Sequence, residues 1–238
     1  MTNDKIFDAW INPLAFLDVD EPWAEIGKAQ PKLDAVVGFL CAPGVPADLD
    51  SLVSRYKEIS TEPVRLFAAP AEPQILEKLV WPLRYAKGSY VIGNYLAVIS
   101  LCGMVAEMVA MLAWQIGEPR LRGEPMTEED EKDLLGSTFE RLGQDRRVRV
   151  LSAYGIIDAD MKVHFDTIRN IRRRYLHLWS QDHSSLAEDA RAGFHAGVSL
   201  VTSIIGQNIS EGKIRLTQQM VRYLERKGLC KPIDPEAV

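Results

Sequence analysis

Hydrophobic and polar positions change period part-way along the chain. In the first 72 residues the apolar runs are short. "LDAVVGFLCAP" ends at Pro43-Gly44, and "PVRLFAAP" sits between prolines. Between them, "PADLDSLVSRYKEI" places Leu49, Leu52, Val53 and Tyr56 three and four apart, a helical spacing. This region reads either as strand–helix–strand, a small α/β unit, or as three short helices. Short apolar runs fit both, and we carry the strand–helix–strand form as the expectation. Prolines at 63, 70 and 73 mark a boundary, so the chain divides into residues 1–72 and 73–238.

Beyond Pro73 the helical period takes over. "QILEKLVWPLRYAKG" predicts a helix that Pro82 breaks or kinks. "SYVIGNYLAVISLCGMVAEMVAMLAWQI" is apolar on nearly every side and approaches the length of a membrane span. Asn94 and Glu107 interrupt it, and a charge at mid-bilayer is costly, so it reads as the central helix of a bundle. "TEED" at 127–130 forms a capping box with Asp130 in the place of Glu. A helix runs from there towards Tyr154, broken near Gly136 or Gly143, and Gly155 ends it. Asp158 or Asp160 caps the next helix, which reaches about Ser180, and "SQDHSS" is a turn. A further helix covers roughly 186–210, with Ala190, Phe194, Val198, Val201 and Ile205 on one face and Gly212 as its stop. "IRLTQQMVRYLERKG" makes the last one. The expected fold is therefore mainly α, a helical bundle with an N-terminal extension.

Composition changes this picture little; charge changes it more. The net charge of −5 excludes a generally basic nucleic-acid coat. Its distribution is uneven: residues 141–174 hold nine Lys/Arg against four acids, while residues 1–72 hold six Lys/Arg against twelve. A local basic zone on an acidic chain attracts a phosphate backbone at one place, unless it is a helical hairpin balanced by acidic neighbours. Cys41, Cys102 and Cys230 are too few and too scattered for a disulfide framework or a zinc site, which fits a reducing, cytoplasmic setting. "MTNDKIFDAW" lacks the basic start and apolar run of a signal peptide. His164, His183 and His195, with Asp158, Asp160 and Asp182, match no metal-ligand spacing, and no Gly-rich phosphate loop is present. Cys41 is better read as a buried small residue than as a nucleophile.

The candidate chemistry lies in "RNIRRRYLHLW", residues 169–179. Wound at about 100° per residue, Met161, Phe165, Ile168, Ile171, Tyr175, Leu178 and Trp179 gather on one side, with His164 among them. Asp166, Asn170, Arg173, Arg174 and His177 stand opposite. Arg172 is the exception, about 40° from Ile168 and inside the apolar sector. A guanidinium there keeps its charge, so it needs a carboxylate, carbonyls or a watery cleft. Glu107, an acid within the most apolar helix, has the matching need. We expect the two to face each other, or to line one cleft.

Arg172 and His177 enclose four residues near a helix end, and the string resembles the signature of the HEPN superfamily, Arg followed by four to six residues and His. The surroundings are similar: a long apolar helix with an embedded acid, a short basic helix, "YGIID" before the motif helix, and an amphipathic helix after it. The resemblance covers about residues 74–211. It implies an all-helical domain and a metal-independent, cofactor-free endoribonuclease, a toxin or defence effector. It places the catalytic pair at Arg172 and His177. Arg173 takes the polar position, where the family usually has Asn. Asn170, Arg169 and Glu107 are the accompanying binding residues. The "RN" pair of Arg169 and Asn170 lies one turn too early to be the motif itself.

RNA is the implied ligand, with no membrane partner. A homodimer through the motif helix and an antitoxin or regulatory protein are the implied protein partners. In such chemistry His177 serves as base or acid, imidazole being the side chain that titrates near neutrality, and Arg172 holds the phosphate by a two-pronged contact. The alternative is an inactive HEPN-like module that binds or regulates through its basic helix.

Overall fold

A computed structural model describes residues 33–60, 69–177, 182–206, 208–210 and 213–229. It is mainly α-helical. The N-terminal part contributes α1 (Leu33–Leu40) and α2 (Leu49–Ile59). A continuous helical stretch follows, made of α3 (Pro73–Ile75), a π-helical turn (Leu76–Val80) and α4 (Trp81–Val91). The central helix is α5 (Tyr95–Gly117). A two-residue hairpin, β1 (Arg120–Leu121) with β2 (Glu124–Pro125), leads to α6 (Glu128–Leu135), a 3₁₀ turn (Phe139–Arg141) and α7 (Gln144–Ala153). The long helices α8 (Ala159–Leu176) and α9 (Leu186–Ile205) come next. Antiparallel β3 (Asn208–Ser210) and β4 (Lys213–Arg215), then α10 (Gln218–Arg226), complete the described chain.

Local chemistry explains most of these boundaries. Pro82 disturbs its helix as its missing N–H demands, but the helix widens rather than stops. An α-helical turn would drive the proline ring into the carbonyl four residues back. The ladder instead shifts to a five-residue step, with the Trp81 N–H donating to the Leu76 carbonyl. Asn94 turns out to be the N-cap of α5 rather than an interruption within it, its side chain accepting from the Ala97 N–H. The Thr127–Asp130 capping box forms as expected, and Gly136, in the left-handed region at φ 74°, ends α6. Of the two aspartates ahead of α8, Asp158 is the cap.

Two expectations need correction. "LDAVVGFL" is a helix, not a strand. Among the described residues no strand lies beside it, and a helix satisfies its own backbone where an unpaired strand would not. The second apolar run of that reading falls at residues 63–68, outside the described residues. The helix expected to reach 210 stops at Ile205, because Gly206 takes the left-handed conformation at φ 64°. Residues 208–215, assigned from sequence partly to that helix and partly to the next, hold the β3–β4 hairpin. Gly206 is also pressed against Thr217, so any side chain there meets strain and a clash.

The core is centred on α5, which packs against α4, α8 and α9 and touches α7 and α10. Val98, Ile99, Val105, Val109 and Ala113 are among its buried residues, so it is covered nearly all round. By length and composition α5 is apolar enough to cross a membrane, and its setting as the middle of a bundle accounts for that composition. Each fully buried aliphatic side chain contributes roughly 1.5–3 kcal/mol. Trp114 stacks on Phe139 at 4.3 Å between ring centres, and Glu131 clamps both, accepting from the Trp114 indole N–H at 2.8 Å and the Phe139 N–H at 2.7 Å.

The α1–α2 region is docked on this bundle. Arg55 donates to the Val91 and Pro46 carbonyls, Glu58 pairs with Arg191 of α9, and Ile59 joins the common core.

Cys102 lies wholly inside, and burial pushes its thiol from an ordinary 9.0 up to about 12. The native thiol should therefore stay unreacted with an aromatic disulfide reagent at pH 8 and become reactive on denaturation. Because the folded value is the raised one, the unfolded chain releases this proton more readily. Stability should fall as pH climbs from about 9 towards 12.

Candidate functional site

The site is built on the C-terminal half of α8 where it crosses α5. Met161, Phe165, Ile168, Ile171 and Tyr175 are buried, which fixes the rotation of α8. Leu178 and Trp179 lie outside the described residues. His164, expected on the apolar stripe, is only half buried.

With α8 so oriented, Arg172 points across α5 and its Nη1 donates to Glu107 Oε1. Gly103, one turn before Glu107 on α5, makes the crossing possible. A Cβ at Gly103 would lie 2.7 Å from Arg172 Cδ and 3.1 Å from its Nε, so the glycine is a notch for the guanidinium stem. The pair is only partly covered, with 36% and 34% of the two side chains exposed, so it is far from a fully desolvated ion pair.

Beside the pair opens a hollow of about 260 Å³ lined by Arg169, Arg172, Arg173, His177, Gln144 and Gly103 among others. At ~30 Å³ per water molecule it holds several waters, or a phosphate group. Gln144, at the start of α7, donates its Nε2 to the Ala106 carbonyl at 3.1 Å. Two polar atoms of these lining residues are buried without partners, Arg172 Nε and Gln144 Oε1. A buried donor or acceptor left unmet costs about 1–3 kcal/mol, a cost that a bound polar group would relieve.

The arginines differ in their commitments. Arg169 pairs with Asp145 of α7 and with Asp166. Arg174 donates to Asp189 of α9, which also accepts from the Tyr175 hydroxyl at 2.6 Å; burial, then that carboxylate, push the tyrosine up. Among the described residues Arg173 has no ion pair or hydrogen bond, which makes it the uncommitted cation of the hollow. Two favourable charges, Arg173 and Arg174, fall in the last turn of α8 at the negative end of its dipole. His177 is the exposed C-cap, one residue past the helix.

Comparison with protein-family models, curated proteins and solved structures returns no match to this chain.

The residues themselves therefore carry the interpretation. Of the six side chains singled out in the sequence, Arg169, Arg172, Arg173 and His177 line one hollow, and Glu107 holds Arg172 from behind. Asn170 does not join them; it is exposed elsewhere on α8. Sequence reasoning missed Gly103 and Gln144. A glycine inside a helix costs ~1 kcal/mol relative to alanine, and that anomaly was the available signal for Gly103. Gln144 offered none, since its role depends on how α7 meets α5. Among the described residues no three His, Cys, Asp or Glu side chains are grouped so as to hold a metal ion.

Proposed function

We propose that the chain is a metal-independent endoribonuclease of the HEPN type, a cytoplasmic toxin or defence effector. The supporting observation is that Arg172, Arg173 and His177 share one hollow. In this reading the hollow receives a phosphodiester of RNA. One imidazole takes the proton of the 2′-hydroxyl, and the 2′-oxygen attacks phosphorus. The bond to the 5′-oxygen breaks as that oxygen receives a proton, leaving a 2′,3′-cyclic phosphate and a 5′-hydroxyl. Arg172 and Arg173 stabilise the charge that accumulates on the non-bridging oxygens.

The hollow of one chain holds one imidazole, that of His177, so a homodimer through α8, with two His177 facing one cleft, supplies both base and acid. An antitoxin or regulatory protein would cover the same basic helix.

A second reading, a binding or regulatory module without turnover, is favoured by the Arg172–Glu107 pair. Glu107 competes with a phosphate for the guanidinium, and among the described residues Arg173 is the arginine of the hollow left without a partner. Incubation of the purified protein with single-stranded RNA and excess chelator separates the two. Cutting, with cyclic-phosphate ends, supports the nuclease; salt-sensitive RNA binding without cutting supports the module.

A further inference from the structure

A second cavity, of about 430 Å³, has Glu107 in its lining. It is bounded by the turn at Glu72, by the segment of α5 from Glu107 to Gln115, and by Tyr223 of α10. At 1.5 Å per residue that stretch of α5 is ~12 Å long, so the cavity is elongated. Ile75, Leu79, Met108, Met111 and Leu112 give it an apolar stretch, with Lys78, Glu140 and Arg147 elsewhere in its lining, and methionines adapt to the shape of a guest.

Two buried polar groups, Glu72 and Tyr223, line this cavity. Glu72 is only 7% exposed. Its Oε2 accepts from the Ile75 N–H at 2.8 Å, and among the described residues no cation pairs with it. Tyr223 is 2% exposed and its hydroxyl is buried with no hydrogen-bond partner. Burial first, then the charge of Glu72, push the Tyr223 phenol up. A buried carboxylate without a cation and a buried hydroxyl without a partner both cost free energy, and one ammonium group would satisfy both. An anion would meet repulsion from Glu72.

We infer that this cavity binds a small amphipathic amine, its ammonium between Glu72 and Tyr223 and its apolar body along Met108, Met111 and Leu112. The inference goes beyond the ribonuclease reading and does not depend on it.

The test uses the full chain and three probes of one shape: 2-phenylethylamine, 2-phenylethanol and 3-phenylpropanoate, followed by saturation-transfer NMR. The amine should bind saturably and more tightly than the alcohol, and the carboxylate should bind least. Removing a hydrogen bond to a charged group costs about 1.5–3 kcal/mol, so Tyr223→Phe and Glu72→Gln should each weaken the amine about tenfold or more. Tyr223→Phe removes only the unpartnered oxygen and should leave the free protein no less stable, so it decides the matter even if Glu72→Gln perturbs the turn. Met111→Trp should fill the cavity and abolish binding. The inference is overturned if no probe binds, if amine and alcohol bind alike, or if Tyr223→Phe leaves the affinity for the amine unchanged.

Discussion

His177→Ala is expected to slow RNA cleavage by about 10²–10⁴-fold, the usual contribution of a positioned acid or base. The melting temperature should not move. His177 follows the last residue of α8, its side chain is exposed, and among the described residues it makes no hydrogen bond that the fold would miss. Exposed substitutions of that kind stay within about ±0.5 kcal/mol. RNA affinity should change little, because Arg172 and Arg173 still line the hollow. Rate and affinity therefore separate the imidazole from the guanidinium groups. Cleavage at the unchanged rate in the folded variant would remove the imidazole from the chemistry and leave the binding module as the better reading. The comparison needs the oligomeric state checked by sedimentation in both proteins, because a loss of cutting through dissociation of the proposed dimer would show as a change in mass.

The features legible in the sequence are those fixed by short-range chemistry. The Thr127–Asp130 box, the Asp158 cap and the buried face of α8 follow from neighbours three or four residues away, and all are present. The meeting of Arg172 with Glu107 was legible for a different reason. Each is a charge in an apolar sector, and two such problems in one core have few solutions other than each other.

What escaped depended on partners remote in sequence. "LDAVVGFL" is compatible with helix and strand alike, and only partners remote in sequence decide between them; among the described residues no strand lies beside it. Gly212 was the expected stop, and the helix ends earlier, at Gly206, since the first left-handed residue breaks the ladder. The basic zone of residues 141–174 is only partly balanced by ion pairs. Asp145 receives Arg149 and Arg169, and Asp189 of α9 receives Arg174, while Arg141, Arg146 and Lys162 stay exposed with no ion pair among the described residues. Among the described residues, the arginine that is both unpaired and part of the hollow is Arg173, at the end of α8.

Gly103→Ala should uncouple the position of Arg172 from the stability of the bundle. The added methyl occupies the notch, 2.7 Å from where Arg172 Cδ now lies, and the backbone of α5 has no equivalent freedom to retreat. The flexible arginine must therefore swing out and give up Glu107. The fold loses a half-exposed ion pair, worth at most about 1 kcal/mol. It gains the helical preference of alanine over glycine, also about 1 kcal/mol. The melting temperature should accordingly stay within a few degrees, at roughly 2–4 °C per kcal/mol for a chain of this size.

The site should respond far more. Losing one preorganised donor to the reacting phosphate lowers turnover by about 10²–10³-fold. The salt dependence supplies a readout that simple destabilisation would not move. Each phosphate contact contributes about −0.7 to the slope of log affinity against log salt for a single strand, so the slope should shrink by about that amount. Arg172→Ala should reproduce the same slope, and the double substitution should add nothing further, because both remove one contact. A Gly103→Ala protein with unaltered slope and turnover would show that the guanidinium reaches the phosphate without the notch, and that the glycine serves only the packing of α8 on α5.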